Sequence, residues 1–147
     1  MEFSKLISDF AARHDVDGLF AEDNAAALDI DGIVVAIVAV GDTVSISAAI
    51  GEPPVEGRAD FADMILESNL EQDYVFSKSR ETGKYMIVRR LPLPSLDGEA
   101  FDAALETLVN QAETWTRLLD DFRPIAKKAA EENADAQAIG AGGFMQV

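Results

Sequence analysis

Residues 33–40 read IVVAIVAV, an uninterrupted run of eight apolar side chains that is rich in β-branched valine and isoleucine. Such a run is typical of a strand that is buried on both faces or nearly so. Asp31-Gly32 precedes it and Gly41-Asp42 follows it, and pairs of this kind indicate tight hairpin turns. In a chain of net charge −15, the apolar faces of this strand have to be covered by the chain's own helices, by a second copy or by another protein.

The strand over 33–40 is predicted to lie in a three-stranded antiparallel meander. Residues 26–30 precede it, and in residues 43–50 that follow it apolar and polar side chains alternate, as in a half-buried strand. Residues 74–79 and 84–93 predict a second hairpin. It ends at a Leu-Pro-Leu-Pro segment, since proline cannot donate a hydrogen bond within a sheet.

Three amphipathic helices are predicted around these strands. In residues 2–13 and 55–70 the apolar side chains recur three or four positions apart, and Pro54 is expected in the first turn of the second helix. The third helix begins after Asp97, whose carboxylate can cap it, and it ends or kinks at Pro124. Its apolar seam recurs at spacings of four and three and consists of Phe101, Leu105, Leu108, Ala112, Trp115, Leu119 and Phe122.

The resulting order is α-β-β-β-α-β-β-α. It predicts a single α+β domain, in which helices cover a twisted antiparallel sheet of about five strands. We assign residues 1–125 to this domain. Residues 126–147 are predicted to form a charged helical extension that lacks an apolar face, followed by a flexible tail.

The charge of the chain is distributed unevenly. Residues 1–73 hold 16 acidic and three basic side chains, whereas residues 74–147 hold 11 acidic and nine basic ones. An acidic surface repels phosphate backbones, so nucleic acid is not expected as a partner. The N-terminus lacks the pattern of a signal peptide, and eight apolar residues are too few to span a bilayer. We therefore expect a cytoplasmic protein without membrane insertion.

The residue types that carry catalysis are scarce in this sequence. It contains no cysteine, a single histidine (His14) and none of the common phosphate-binding or nucleophile motifs. The segment 29–32 (DIDG) lacks the further oxygen ligands of a calcium loop, and a hairpin turn explains it better. We predict no catalytic residues, no metal site and no cofactor. An enzyme or small-ligand module that uses the acidic first half is the least favoured alternative.

Basic side chains concentrate on the second predicted hairpin. They are Lys78, Arg80, Lys84, Arg89 and Arg90. We interpret them as balancing the acidic first half, either within the fold or across a dimer, in preference to forming a phosphate site.

Two segments resemble a known family. Residues 85–97 (YMIVRRLPLPSLD), followed by the helix seam with its Ala-Glu-Thr-Trp step at 112–115, are similar to the C-terminal half of class I type III secretion chaperones. Residues 64–70 (MILESNL) resemble the second-helix segment of this family, which is also called the Tir-chaperone-like or CesT-type family. The short link at 71–73 and the segment beyond Pro124 depart from the family pattern. YbjN-like proteins share the same element order and are the alternative.

The resemblance implies binding without catalysis. Members of the family are homodimers that hold the N-terminal segment of a secreted effector in extended form, without ATP, and keep it soluble and competent for secretion. An extended client segment can add main-chain hydrogen bonds at a strand edge while its apolar side chains enter grooves. The YbjN-like alternative is an interaction or regulatory protein of the same fold with no secretion client.

The resemblance also implies two sets of site residues. Client contacts are predicted on the first helix and on the sheet face away from the last helix, with a simple core role as the equal alternative for the sheet residues. These client residues are Phe3, Leu6, Phe10, Ile33, Val35, Ile37, Val44 and Ile46. The dimer contact is predicted on the second helix and the following strand, at Ile65, Leu66, Leu70, Tyr74 and Phe76.

Overall fold

The structure is a computed structural model that describes residues 2–16 and 18–123. Its helices are α1 (Phe3–His14), α2 (Arg58–Ser68) and α3 (Gly98–Asp120). Its strands are β1 (Gly18–Ala21), β2 (Ala25–Ile30), β3 (Ile33–Val40), β4 (Thr43–Gly51), β5 (Val75–Lys78) and β6 (Tyr85–Pro92). A short 3-10 helix, Leu93–Ser95, links β6 to α3. The predicted α+β class is confirmed.

All six strands form one antiparallel sheet in the order β1-β2-β3-β4-β6-β5. The predicted central strand and its two hairpin neighbours lie where the sequence placed them. Strand β1, which the sequence pattern did not predict, has four residues and an irregular register opposite β2. So short a strand, next to an acidic segment, has too little periodicity to stand out, and its pairing with β2 defines it.

The core lies between the sheet and the helices. Side chains of β2, β3, β4 and β6 pack in one cluster with those of α1, α2 and α3, and among the described residues no polar or charged residue is classed as buried. Burying a large apolar side chain stabilises a protein by about 1.5–3 kcal/mol. The folded state of this protein therefore depends on one continuous apolar cluster on one side of the sheet.

Helix α3 confirms the predicted capping and apolar seam. The Asp97 carboxylate accepts a hydrogen bond of 2.7 Å from the backbone N–H of Ala100, as expected of an N-cap. Most of the seam is buried and Trp115 and Phe122 are partly buried, whereas Leu118, off the seam, is exposed. The helix covers the middle of the sheet, chiefly β4 and β6.

Helix α2 begins later than the sequence predicted. Its first residue is Arg58, preceded by Gly57 in the left-handed conformation with φ of 74°, so Pro54 lies before the helix and not in its first turn. The Phe61 ring stacks on Tyr85 at 5.5 Å and meets Trp115 edge-on at 6.4 Å. These aromatic contacts attach α2 to both β6 and α3.

Part of the sequence prediction concerns residues beyond those the structure describes. Pro124, the predicted charged helical extension and the predicted flexible tail at 126–147 all lie outside the described residues. The division into a domain over residues 1–125 and an extension over 126–147 therefore stays a prediction.

Gly51, in β4, lies close to the end of α3. It lies at an irregularity in the β4–β6 pairing and has φ of 140°, a conformation that side chains disfavour. A Cβ atom at this position would lie 2.8 Å from Leu119 Cδ2, which is well inside van der Waals contact. Glycine is therefore required here both by backbone conformation and by space.

We expect Gly51→Ala to lower the free energy of unfolding by about 2–3 kcal/mol, because it adds backbone strain and displaces Leu119. Gly41→Ala is the matched control, since Gly41 also has a positive φ of 58° but no atom within 4 Å of its added Cβ. The control should lose about 1 kcal/mol. Urea unfolding measures both, and equal losses would contradict the close approach to Leu119.

Candidate interaction surfaces

The α1 residues predicted to contact a client are part of the core in the protomer. Phe3, Leu6 and Phe10 are all buried, and the Phe10 ring meets Phe101 of α3 edge-on at 5.6 Å. Their helix therefore packs on the chain's own α3. A client could reach these three side chains only if α1 moved away from the sheet.

The sheet residues of the predicted client site lie on the opposite face from the one expected. Val35, Ile37, Val44 and Ile46 are completely buried and belong to the cluster beneath the helices, with Ile33 partly buried at its margin. The expectation that these residues face away from the last helix is wrong. Every position of β3 is apolar, so periodicity could not distinguish its two faces.

The other face of the sheet carries the exposed apolar side chains of β3. Val34, Val38 and Val40 are 50%, 38% and 71% exposed. They alternate with the buried set along the strand, as the two faces of a sheet require. This uncovered side is called the open face below.

A row of cross-strand neighbours runs across the open face from one edge of the sheet to the other. Directly opposed residues point to the same face. The row consists of Phe20, Ala27, Ala36, Ser47, Val88 and Val75. Its middle is made of small side chains and its two end residues, Phe20 and Val75, are exposed. The open face therefore combines exposed valines of β3 and a shallow row of small side chains with polar neighbours, since Ser45 and Arg90 lie on it opposite Val38.

The predicted dimer residues divide into two groups. Ile65, Tyr74 and Phe76 are buried in the protomer, where the Phe76 ring lies 4.7 Å from Trp115. Leu66 and Leu70 are 62% and 90% exposed. An apolar surface on α2 and the residues after it is therefore free to meet a partner, while the buried group holds that surface in place.

A group of charges fastens α1 to α3. The Arg13 guanidinium donates to both carboxylate oxygens of Asp102, at 2.6 and 3.2 Å, and His14 Nε2 lies 2.8 Å from the same carboxylate. Partial burial raises the pKa of Asp102, but hydrogen bonds and charges from Arg13 and His14 outweigh it and hold the pKa below its ordinary value of 3.8. The Asp102 carboxylate is therefore stabilised in its charged form.

A groove of about 700 Å³ lies beside this group of charges, between α1, α3 and the β2–β3 turn. Phe10, Leu105 and Val109 are among its apolar lining residues. Its carboxylates are Asp15, Asp29, Asp31, Asp102 and Glu106. The groove therefore favours cationic groups over anions, in keeping with the acidic first half of the chain.

The basic side chains of β5, β6 and their connecting turn form no ion pair with any residue that the structure describes. They are Lys78, Arg80, Lys84, Arg89 and Arg90. Balancing of the acidic half within the protomer is therefore not seen in the described ranges. The second possibility, balancing across a dimer, remains a proposal.

Neither a metal site nor a membrane span is found in the described part of the chain. Residues 2–16 and 18–123 contain no group of three or more His, Asp or Glu side chains placed to hold a metal ion. None of the helices in these ranges is long and apolar enough to cross a bilayer.

The fold and these surfaces define a small α+β protein with one covered and one open sheet face. The sequence profile of the Tir chaperone protein (CesT) family matches residues 5–116. That span is well over half of the chain, and the protein belongs to this family. No curated protein matches the chain in a sequence search.

Solved structures share the fold at low sequence identity. The ExsC–ExsE complex matches with a TM-score of 0.68 and 22% identity, covering 81% of this chain and 97% of that one. The Yersinia pestis type III secretion chaperone SycH, solved with a fragment of YscM2, has a TM-score of 0.61 and 19% identity over 76% and 98% of the chains. YbjN from E. coli has a TM-score of 0.59 and 14% identity over 78% and 90%.

We expect Asp102→Asn to lower the free energy of unfolding at pH 7 by less than about 1 kcal/mol, because the ion pair is partly solvated. A carboxyl group whose pKa is lowered by folding stabilises the protein above its unfolded pKa and loses that effect as the pH falls through the folded pKa. The difference between wild type and variant should therefore shrink from about pH 4 downward. Urea unfolding at several pH values measures it.

Asp9→Asn is the matched control for Asp102→Asn, because it removes an exposed pair with Lys5 inside α1 and leaves both partners of the Arg13–Asp102 hydrogen bonds in place. Its effect at pH 7 should be the smaller of the two. A control effect equal to that of Asp102→Asn would contradict the role of Asp102 in holding α1 on α3.

Proposed function

We propose that this protein is an ATP-independent secretion chaperone. In this proposal it binds the N-terminal segment of a type III effector in extended form and keeps that segment soluble and competent for secretion. The observation that carries the proposal is the family match over residues 5–116. Similar structures add support, since the ExsC–ExsE structure is a complex and the HopA1–SchA structure is a chaperone–effector complex.

The open face supports the binding of an apolar client segment. Val34, Val38 and Val40 project from it, and the described helices all pack on the other side of the sheet. Exposed apolar surfaces of this kind mark interaction sites. The strongly acidic remainder of the chain keeps such a protein dispersed while the surface is free.

The client contacts first predicted on α1, and at sheet residues that were expected to face away from the last helix, stay a prediction. They require Phe3, Leu6 and Phe10 to become accessible, and these side chains are buried in the protomer. Binding there would need α1 to separate from the sheet, with loss of its contacts to Phe101 and Asp102. The open face needs no such rearrangement, and we therefore favour it as the client surface.

We also propose that the protein is a homodimer whose contact is centred on α2. Leu66 and Leu70 present large exposed apolar side chains there, and Val75 of β5 is 37% exposed nearby along the chain. An interface between identical copies uses the same surface twice. Burial of these leucines against a second copy would remove them from water.

Charge supports the same arrangement. The exposed side chains Asp63, Glu67 and Glu71 are acidic, whereas Lys78 at the end of β5 and Lys84 in the turn that follows are basic. A two-fold axis near β5 would bring the acidic helix of one copy toward the basic turn of the other. Such opposed charges favour correct pairing and its orientation.

An enzymatic role is not part of the proposal. The family is named for a chaperone, and the described residues bring together no metal ligands. We propose that the protein acts in the cytoplasm, where secretion clients are synthesised.

The second candidate is a YbjN-like interaction protein with no secretion client. It is kept because YbjN shares the fold with a TM-score of 0.59. The two candidates differ in what depends on the protein: a secretion chaperone has a client whose export requires it, and a YbjN-like protein has none.

We expect Leu66→Glu combined with Leu70→Glu to convert the dimer into a monomer, because charges would replace the apolar centre of the contact. The expected loss of affinity is at least about a hundredfold. Light scattering across a range of concentrations measures the mass. Val55→Glu is the matched control, since Val55 is fully exposed outside this surface. A dimer that survives the double substitution would place the contact elsewhere.

We expect Val34→Glu combined with Val38→Glu to abolish export of a client, because two charges would be placed on the open face. The proteins encoded beside this gene are the clients to test, each by its solubility and secretion in cells with and without the chaperone. Wild type should restore both, and the double variant should restore neither while keeping its melting temperature within a few degrees.

Val55→Glu serves again as the control and should restore secretion fully. Normal secretion by the open-face variant would exclude that face as the client surface. Unchanged secretion when the whole protein is missing would instead favour the YbjN-like candidate.

A further inference from the structure

Strand β5 is at one edge of the sheet and therefore has main-chain groups on its outer side that no strand pairs. An unpaired edge is a template for the addition of another strand. The hazard is greater here because Leu66, Leu70 and Val75 make the neighbouring surface apolar. Whether the outward main-chain groups of β5 are capped therefore decides whether a partner strand can pair with this edge.

The side chain of Asn69 lies across the middle of this edge. Its Oδ1 accepts a 2.7 Å hydrogen bond from the backbone N–H of Phe76, and its Nδ2 donates to the carbonyl oxygen of Phe76 at 3.4 Å. A carboxamide presents one acceptor and one donor, like a peptide group. Asn69 thus makes the two bonds that an added strand would make at this position.

The position of Asn69 is set from both sides. It follows directly after α2, and its own N–H bonds back to the Ile65 carbonyl at 3.2 Å. Phe76 is held by the contact of its ring with Trp115. Because both ends are anchored in the core, the carboxamide is held in place against the strand.

The alternation of an antiparallel strand identifies the other outward groups. The Ser79 N–H bonds to the Lys84 carbonyl, so Ser79 faces the partner strand β6. Groups two positions apart face the same way, and neighbours face opposite ways. Ser77 therefore faces β6, while Phe76 and Lys78 face outward. Asn69 covers the first of these two outward positions and leaves the second uncovered.

We infer that Asn69 closes the β5 edge against strand addition. A second copy of the chain that meets α2 and β5 is then restricted to side-chain contacts, and without Asn69 the β5 strands of two copies would pair. A corollary, which rests on the proposed function, is that an extended client adds its main chain at the opposite edge, β1. The closure itself depends on neither a client nor a dimer.

Hydrogen exchange of the wild-type protein tests the closure directly. The Phe76 amide should exchange at least about tenfold more slowly than the Lys78 amide, which faces the same side without a cap. This difference should hold at every protein concentration. A Phe76 amide that exchanges as fast as Lys78 would overturn the inference. Strong protection of Lys78 in the wild type would do so too, because it would mean that β5 is already paired.

The variant Asn69→Ala tests the consequence for association. At low concentration its Phe76 amide should exchange about tenfold faster than in the wild type. At high concentration the Phe76 and Lys78 amides should become protected together as β5 strands pair. If no such concentration-dependent protection develops, Asn69 does not block strand addition at this edge. Should the variant not fold, the wild-type comparison still decides the question.

A second substitution separates strand pairing from other association. Lys78→Pro in the Asn69→Ala background removes an outward N–H without touching the pairing with β6. The Phe76 amide of the double variant should stay fast at all concentrations. None of these measurements uses a client, and they follow the exchange of single amides, not the mass of the protein. Their outcome can therefore be interpreted even if the chaperone proposal or the dimer proposal fails.

Discussion

The contact between the apolar seam of α3 and the covered face of the sheet is the interaction on which the other elements depend. Through it, α1 is placed by the contact between Phe10 and Phe101, and α2 by that between Phe61 and Trp115. The edge strand β5 is placed by Phe76, which also packs on Trp115. One helix therefore positions both surfaces proposed for binding, although its seam takes no direct part in them.

Covering only one side of the sheet lowers solubility but leaves a surface for binding. The helices described here bury one set of alternating side chains, and the open face keeps its valines in water. That arrangement costs solubility, which the net charge of −15 offsets. It also provides an apolar binding surface on a rigid scaffold, where a partner can bind without the sheet having to rearrange.

Long and periodic elements could be predicted from the sequence. The helix capped by Asp97 and the strand over 33–40 follow from local signals, namely a capping side chain, a repeat of apolar positions and turn residues. The short β1 and the late start of α2 could not be predicted, because the first is defined by pairing and the second by Gly57 with its positive φ. The candidate site was less predictable than the fold, since it depends on which face is left open.

The sequence by itself determined the types of the long elements, the α+β class, the acidic composition and the family resemblance, because each depends on local pattern or composition. The tertiary structure decided which face of IVVAIVAV is covered. With eight apolar residues in a row, the local pattern is the same for both faces, and strand pairing together with helix packing distinguishes them. The tertiary structure also decided that Asn69 hydrogen-bonds to Phe76, because that contact requires the chain to turn back between α2 and β5.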